Sequence, residues 1–188
     1  AEYIISACEA SLSRMGVDHV DLYQIHRPDN FTHPEEIAQA FNSLKSRGLV
    51  REFGVSNYTV AQTLALNAFV DNGLATSQPQ LSAAHLDPLR DGTLDLCMES
   101  GITPLAWSAL AGGALATGKG VAPALLAVLD ELAARENVTR SAIAIAFVLA
   151  HPSRPVAIIG TQTPSRISEL ALATSVSLTR TDVYAIIQ

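Results

Sequence analysis

Five short apolar runs, beginning near residues 19, 49, 75, 102 and 155, are each followed by a segment with apolar residues at helical spacing. No hairpin signal joins any two of them. Strands separated by about 25 to 50 residues, each followed by a helix, form a βα repeat with parallel strands. The runs are continuously apolar, as strands covered on both faces should be. None leads into G-x-G-x-x-G, so the dinucleotide-binding fingerprint of doubly wound sheets is absent. The expected fold class is therefore α/β, a parallel (β/α) barrel of TIM type. A closed barrel of that type needs eight strands, and this chain supplies five. Ala1 already lies in an amphipathic helix, with Ile4, Cys8, Leu12 and Met15 on one face and no initiator Met or N-cap before it. The expectation is that about three further βα units precede Ala1, or that the open strand edges meet a second chain.

Punctuation residues place the elements. A helix over 2–15 stops at Gly16, and a strand over 19–25 follows. Thr32-His33-Pro34-Glu35 reads as a capping box that opens a helix to about Arg47, with Ile37, Phe41 and Leu44 on one face. Strand 49–55, helix 60–70 and strand 75–80 come next. A helix over 87–99 directs Leu89, Leu94 and Met98 inward, and strand 102–107 follows it. Residues 114–120 form a flexible loop. Two helices follow, 122–136 and 139–150, the second capped by Thr139. Strand 155–159 leads to a helix opened by Thr163-Pro164 and running to about Ala173. Thr179 starts a last short helix.

Composition narrows the function classes. The 188 residues suit a single domain, 1–188, with one sizeable core, being 48% hydrophobic and only 16% charged. The net charge is -6 and no basic stripe is present, which argues against a nucleic-acid partner. No polybasic segment suggests a membrane surface. The most apolar window, 142–150, is too short to span a bilayer and reads as a buried helix. Cys8 and Cys97 show no C-x-x-C pattern, so neither a disulfide framework nor a zinc site is indicated. This usage fits a reducing, cytoplasmic compartment.

In parallel α/β folds ligands bind at the carboxyl ends of the strands. Those ends carry His26, then Ser56-Asn57, then Gln78, then Trp107-Ser108, then Gly160-Thr161 with Arg166 close behind. Pro28 forces strand 19–25 to end near His26, which places a candidate acid, base or hydrogen-bond donor at the rim. Taken singly each residue has a plainer use. Trp107 fills core, Ser56-Asn57 makes a turn, Gln78 is a solvated strand end, and Arg166 is a surface charge. On these grounds alone the chain is a parallel α/β ligand-binding barrel.

Three stretches in order, LYQIHRPD (22–29), FGVSN (53–57) and IIGTQTPSRISE (158–169), resemble the aldo-keto reductases, in their fourth to eighth βα units. The resemblance implies an NAD(P)H-dependent oxidoreductase that reduces aldehydes or ketones to alcohols. His26 matches the family's catalytic histidine, which hydrogen-bonds the substrate carbonyl oxygen. Ser56, Asn57 and Gln78 match the residues that hold the nicotinamide carboxamide, an assignment suited to groups that both donate and accept. Trp107 matches the aromatic stacked on the nicotinamide. Ser108, Leu110 and Gly112 match the loop passing the pyrophosphate. Gly160, Thr161 and Arg166 match the region of the adenosine 2′-phosphate, and they favour NADPH over NADH.

The chain also departs from the family. Gly160 replaces a common lysine, Leu170 a common asparagine, and Gln80 a common glutamate. The family's catalytic Asp, Tyr and Lys belong to the first three units. Tyr3, Tyr23, Tyr58, Tyr184, Lys45 and Lys119 do not stand at their positions. The implied partner is a small carbonyl compound; the oligomeric state is not fixed by the sequence. The same resemblance also admits a non-catalytic, nucleotide-binding regulatory subunit, or a fragment without activity of its own.

Overall fold

Helix α1, Glu2–Met15, buries Cys8 and Leu12 and ends at Gly16, whose φ of 66° is the left-handed geometry glycine adopts without cost. Met15, expected on the inward face, lies in the last turn and is 56% exposed. Strand β1, Val20–Ile25, leads to α2, Pro34–Ser46, which buries Ile37, Phe41 and Leu44 as its spacing requires. The N-cap of α2 is His33 rather than Thr32: His33 Nδ1 accepts from the Glu35 N–H at 3.2 Å. The Thr32 hydroxyl is drawn away because it donates to Asp29 Oδ2 at 2.8 Å, while Asp29 Oδ1 accepts from the Phe31 N–H. An Asx turn has thus outcompeted the capping box.

Strand β2, Val50–Ser56, pairs in parallel with β1 and with β3, Thr76–Gln78. Between β2 and β3 lies α3, Val60–Asn67, opened by a capping box of Thr59 and Gln62. It is shorter than the expected 60–70 because the Asn67 side chain turns back to accept from the Leu74 N–H. The register sets Gln24 beside Gly54 and Gly54 beside Thr76, with Ser56 beside Gln78 one pleat further on. Side chains alternate along a strand, so Gln24, Gly54, Thr76, Ser56 and Gln78 share one face. Phe53 and Val55 take the opposite face and are buried there. Phe53 stacks on Phe41 of α2 with ring centroids 4.1 Å apart.

The structure, a computed structural model describing residues 1–188, divides into two compact units. The first comprises residues 1–78 with 99–102, the second 79–98 with 103–188. The helix expected over 87–99 is broken in two. Asp87–Leu89 form a single 3-10 turn, Gly92 takes φ 87°, and α4 runs Thr93–Ser100 with Asp91 Oδ1 accepting from the Thr93 N–H. The break rotates the helix, so Cys97 is buried and Met98 is 44% exposed.

Strands β4, Thr103–Ala106, and β5, Val156–Ala157, pair in parallel. Residues 111–117, expected to lie partly in a flexible loop, wind through a 3-10 turn into α5, Ala114–Thr117, pinned by the fully buried Leu115. Helix α6, Pro123–Glu136, precedes α7, Arg140–Leu149, which Thr139 caps through the Ala142 N–H. Residues Ala142 to Val148 of α7 are buried all round, as the centre of the second unit's core, against Leu115, Leu129 and Ile186. No helix is long and apolar enough to cross a membrane. Helix α8, Pro164–Ala171, passes into a 3-10 turn over Leu172–Ser175, and α9, Arg180–Ile187, closes the chain.

One charge cluster holds α9. Asp182, 8% exposed, accepts from Arg135 Nη1 and Nη2 at 2.8 and 2.9 Å and from the N–H and hydroxyl of Thr179 at 2.8 Å each. Hydrogen bonds from Arg135, then those from Thr179, hold its carboxyl well below the usual carboxylate range. A depressed carboxyl contributes stability that is complete above its unfolded value, about pH 3.9, and declines as pH falls toward the folded value. Asp182→Asn is therefore expected to cost about 1 kcal/mol at neutral pH, the loss of a charged acceptor for Arg135 and Thr179. The gap between wild type and variant in urea midpoint should close as pH drops below about 4. A gap that stays constant down to strongly acid pH would refute the assignment.

Candidate functional site

In the first unit, the four residues singled out from the sequence meet in one hydrogen-bonded run. His26 is the first residue beyond β1, and its side chain is exposed. Its main-chain oxygen accepts from Asn57 Nδ2 at 3.1 Å. Asn57 Nδ2 also lies 3.0 Å from Ser56 Oγ, and the Ser56 hydroxyl donates to the main-chain oxygen of Gln78 at 2.9 Å. The Asn57 N–H bonds that same oxygen at 3.2 Å. Asn57 takes φ 60°, a left-handed conformation in which Asn is several-fold enriched among non-glycine residues. Ser56, buried, ends β2; Gln78, half-buried, ends β3. The ends of three parallel strands are thus cross-tied, with hydroxyl and carboxamide groups of one small cluster gathered beside a histidine.

The layer beneath these residues was not marked by sequence reasoning. Gln24 and Thr76 flank Gly54, and a Cβ on Gly54 would lie 1.9 Å from Thr76 Oγ1. Thr76 Oγ1 and the Tyr58 hydroxyl are buried without a hydrogen-bond partner. Burial, and then the charge of Asp29, push the Tyr58 phenol up. Counting back by two from His26, Ser56 and Gln78 leads to Gln24, Gly54 and Thr76, and that count is the signal that finds this layer in the sequence.

In the second unit, Trp107 follows β4, half-buried, and bridges in parallel with Gln80. Its N–H donates to Pro79 O at 3.1 Å and its carbonyl accepts from the Leu81 N–H at 3.2 Å. The chain then turns sharply. Ser108, Ala111, Gly112 and Gly113 all have positive φ, at 56°, 50°, 65° and 91°. Ser108 Oγ accepts from the Gly112 N–H at 3.0 Å, and Leu110 O accepts from the N–H groups of Gly113 and Leu115. No atom outside the turn lies within 4 Å of a Cβ built on Gly112 or Gly113.

Strand β5 is shorter than the expected 155–159, although the Ile158 N–H still bonds to Ala106 O. Gly160 follows in open surroundings, and the half-buried Thr161 accepts from the Thr163 N–H through Oγ1. Arg166, exposed, stands in the first turn of α8. Thr163 occupies the N-cap position as expected, without a side-chain cap bond.

Both cysteines are free and buried. Burial pushes the Cys97 thiol up to about 11 and, more mildly, that of Cys8, so neither is a reactive nucleophile.

The chain is 43% identical over its full length to a 6-dehydroglucose reductase from Novosphingobium aromaticivorans, of which it covers 62%. It is 38% identical, over 98% of its length, to the oxidoreductase YdhF of Escherichia coli, again covering 62% of the relative. The chain thus spans about three fifths of the length of these curated relatives. A crystal structure of the thermostable aldo-keto reductase Tm1743 with the inhibitor epalrestat matches 98% of the chain at a TM-score of 0.90 and 27% identity, with 65% of that structure covered. The sequence profile of the aldo/keto reductase family matches residues 1–188 throughout. A parallel α/β chain carrying the LYQIHRPD, FGVSN and IIGTQTPSRISE stretches, and five βα units of a TIM-type barrel, therefore belongs to the aldo/keto reductase family.

Proposed function

We propose that the full-length protein is a nicotinamide-dependent carbonyl reductase, and that residues 1–188 form the C-terminal part of its barrel. It reduces small aldehydes and ketones to alcohols, with NADPH preferred over NADH. The observation that carries this reading is the cross-tied cluster of His26, Ser56, Asn57 and Gln78 at the ends of three parallel strands. Family membership and the reductase relatives support it.

The donor set fits such a cofactor. Ser56, Asn57 and Gln78 offer hydroxyl and carboxamide groups suited to an amide. Trp107 offers a flat aromatic face. Open space beside Gly112 and Gly113 lets a pyrophosphate approach the turn at 108–113. Thr161 and the planar fork of Arg166 suit a phosphate monoester. When bound, the cofactor supplies the hydride. In this reading His26 donates a hydrogen bond to the carbonyl oxygen and fixes its direction. The family resemblance puts the proton-donating tyrosine on βα units outside these residues.

The test is a fluorescence titration of the full-length protein with each cofactor, following quenching of Trp107 in a background free of other tryptophans. Arg166→Ala is expected to weaken NADPH about tenfold to a hundredfold, the loss of a charged hydrogen-bonding contact, and to leave NADH nearly unchanged. Gly160→Lys is expected to tighten NADPH alone, since nothing lies within 4 Å of a Cβ at that position. Equal weakening of both cofactors by Arg166→Ala would remove the case for NADPH. A wild-type protein that binds neither would remove the reductase itself.

A further inference from the structure

The loop over 27–33 joins His26 to α2, and its large apolar side chain does not hold it by packing: Phe31 is 100% exposed. Hydrogen bonds order it instead. Asp29 Oδ1 accepts from the Phe31 N–H at 2.9 Å, Asp29 Oδ2 from the Thr32 hydroxyl at 2.8 Å, and Asp29 O from the Thr32 N–H at 3.3 Å. These bonds fold the loop on itself without fixing it to a neighbour. Two contacts join it to the chain that follows β2. At its end, the His33 ring meets Phe69 edge-on, with centroids 5.5 Å apart. At its middle, Gln62 Nε2 donates to Asn30 Oδ1 at 3.1 Å.

Gln62 has a second task. Its Oε1 accepts from the Thr59 N–H at 3.0 Å and its own N–H donates to Thr59 Oγ1 at 3.2 Å, which together make the capping box of α3. That box uses only the oxygen of the carboxamide, and a glutamate would serve it as well. At a helix N-terminus the added charge would even favour it. The amide nitrogen is therefore surplus to the cap, and the nitrogen is the atom that reaches Asn30. At the other end of the same stretch, Asn57 Nδ2 grips the main-chain oxygen of His26 at 3.1 Å. Residues 57 and 62 thus hold residues 26 and 30.

We propose that Gln62 is a positioning residue for the loop that follows His26, acting through Asn30. The consequence for catalysis rests on the reductase reading. In barrels of this type the loops at the carboxyl ends of the strands build the active site. The clamped loop then serves the carbonyl substrate beside His26, and leaves the cofactor to residues outside it.

The experiment uses the full-length protein and three variants that all keep the α3 cap. Asn30→Ala removes the acceptor. Asn30→Asp retains it. Asn30→Asp combined with Gln62→Glu sets two carboxylates against each other. Three quantities are read: hydrogen exchange of the 27–33 amides by mass spectrometry; kcat/KM for whichever of methylglyoxal, glyceraldehyde and benzaldehyde the wild type reduces best; and affinity for each cofactor. Asn30→Ala and the double variant are expected to exchange about fivefold faster and to lose about fivefold in kcat/KM, the worth of one net hydrogen bond. Cofactor affinities should stay as in wild type, and Asn30→Asp alone should match wild type in all three. Unchanged exchange in Asn30→Ala overturns the proposal. Faster exchange with kcat/KM unchanged also overturns it, because the bond then only orders an exposed loop. So does a matching loss of cofactor affinity, or an Asn30→Asp variant that behaves like Asn30→Ala. A wild type that binds neither cofactor overturns the reductase reading and the catalytic consequence, while the exchange rates still decide whether Gln62 holds the loop.

Discussion

Gly54→Ala is expected to destabilise the protein by about 3 kcal/mol, at the upper end of what inserted bulk costs in a close-packed site. The reason is proximity rather than conformation, since Gly54 is not among the glycines with positive φ. A methyl group there would lie 1.9 Å from Thr76 Oγ1, 2.8 Å from Thr76 O and 3.2 Å from Gln24 Cγ. The first contact can be relieved by rotating the threonine. The second is to backbone, so β2 and β3 must part at the Gly54–Thr76 register and loosen the Ser56–Gln78 pair one pleat beyond. Urea unfolding of the full-length protein measures the cost. The double variant Gly54→Ala with Thr76→Ala should recover part of it, because neighbouring residues couple and the hydroxyl is one of the two clashing atoms. A loss below about 0.5 kcal/mol, the range of an ordinary surface substitution, would show that the strands yield without effort.

His26→Ala is expected to lower turnover by about a hundredfold to a thousandfold, the typical effect of removing one donor aimed at a developing oxyanion. Cofactor affinity should barely change. The structure makes this a clean experiment. The bond that ties His26 to Asn57 uses the main-chain oxygen, which alanine retains, so the strand ends stay cross-tied when the imidazole is removed. Steady-state kinetics at saturating cofactor, together with the fluorescence titration, separates the two effects. If affinity falls as far as turnover, His26 supports the cofactor rather than the carbonyl oxygen.

Much of this arrangement is legible in the sequence. Strand ends are marked by residues with strong local rules. Pro28 ends β1 near His26, and Gly16 and Thr139 punctuate helices where the structure places them. The misreadings have equally local causes. Thr32 has the right spacing for a capping box, yet Asp29, three residues earlier, captures its hydroxyl and leaves the cap to His33. The helix over 87–99 fails at Asp91-Gly92, a turn-forming pair that helical periodicity conceals. Residues 114–120, small and flanked by glycines, look flexible, but the burial of Leu115, which holds α5 in place, is a tertiary fact that no local pattern encodes. In the same way, Gly54 reads as one glycine in a motif. Only the register with Thr76 shows that no side chain fits there.

Three of the bonds at the strand ends share a property. Ser56 Oγ and the Asn57 N–H both reach the main-chain oxygen of Gln78, and Asn57 Nδ2 reaches that of His26. The scaffold therefore grips residues 26 and 78 by groups that every amino acid possesses. Their side chains are released from architectural duty, whereas Ser56 and Asn57 carry the architecture in their own side chains. A library randomised at 26 and 78 should yield far more folded members than one randomised at 56 and 57.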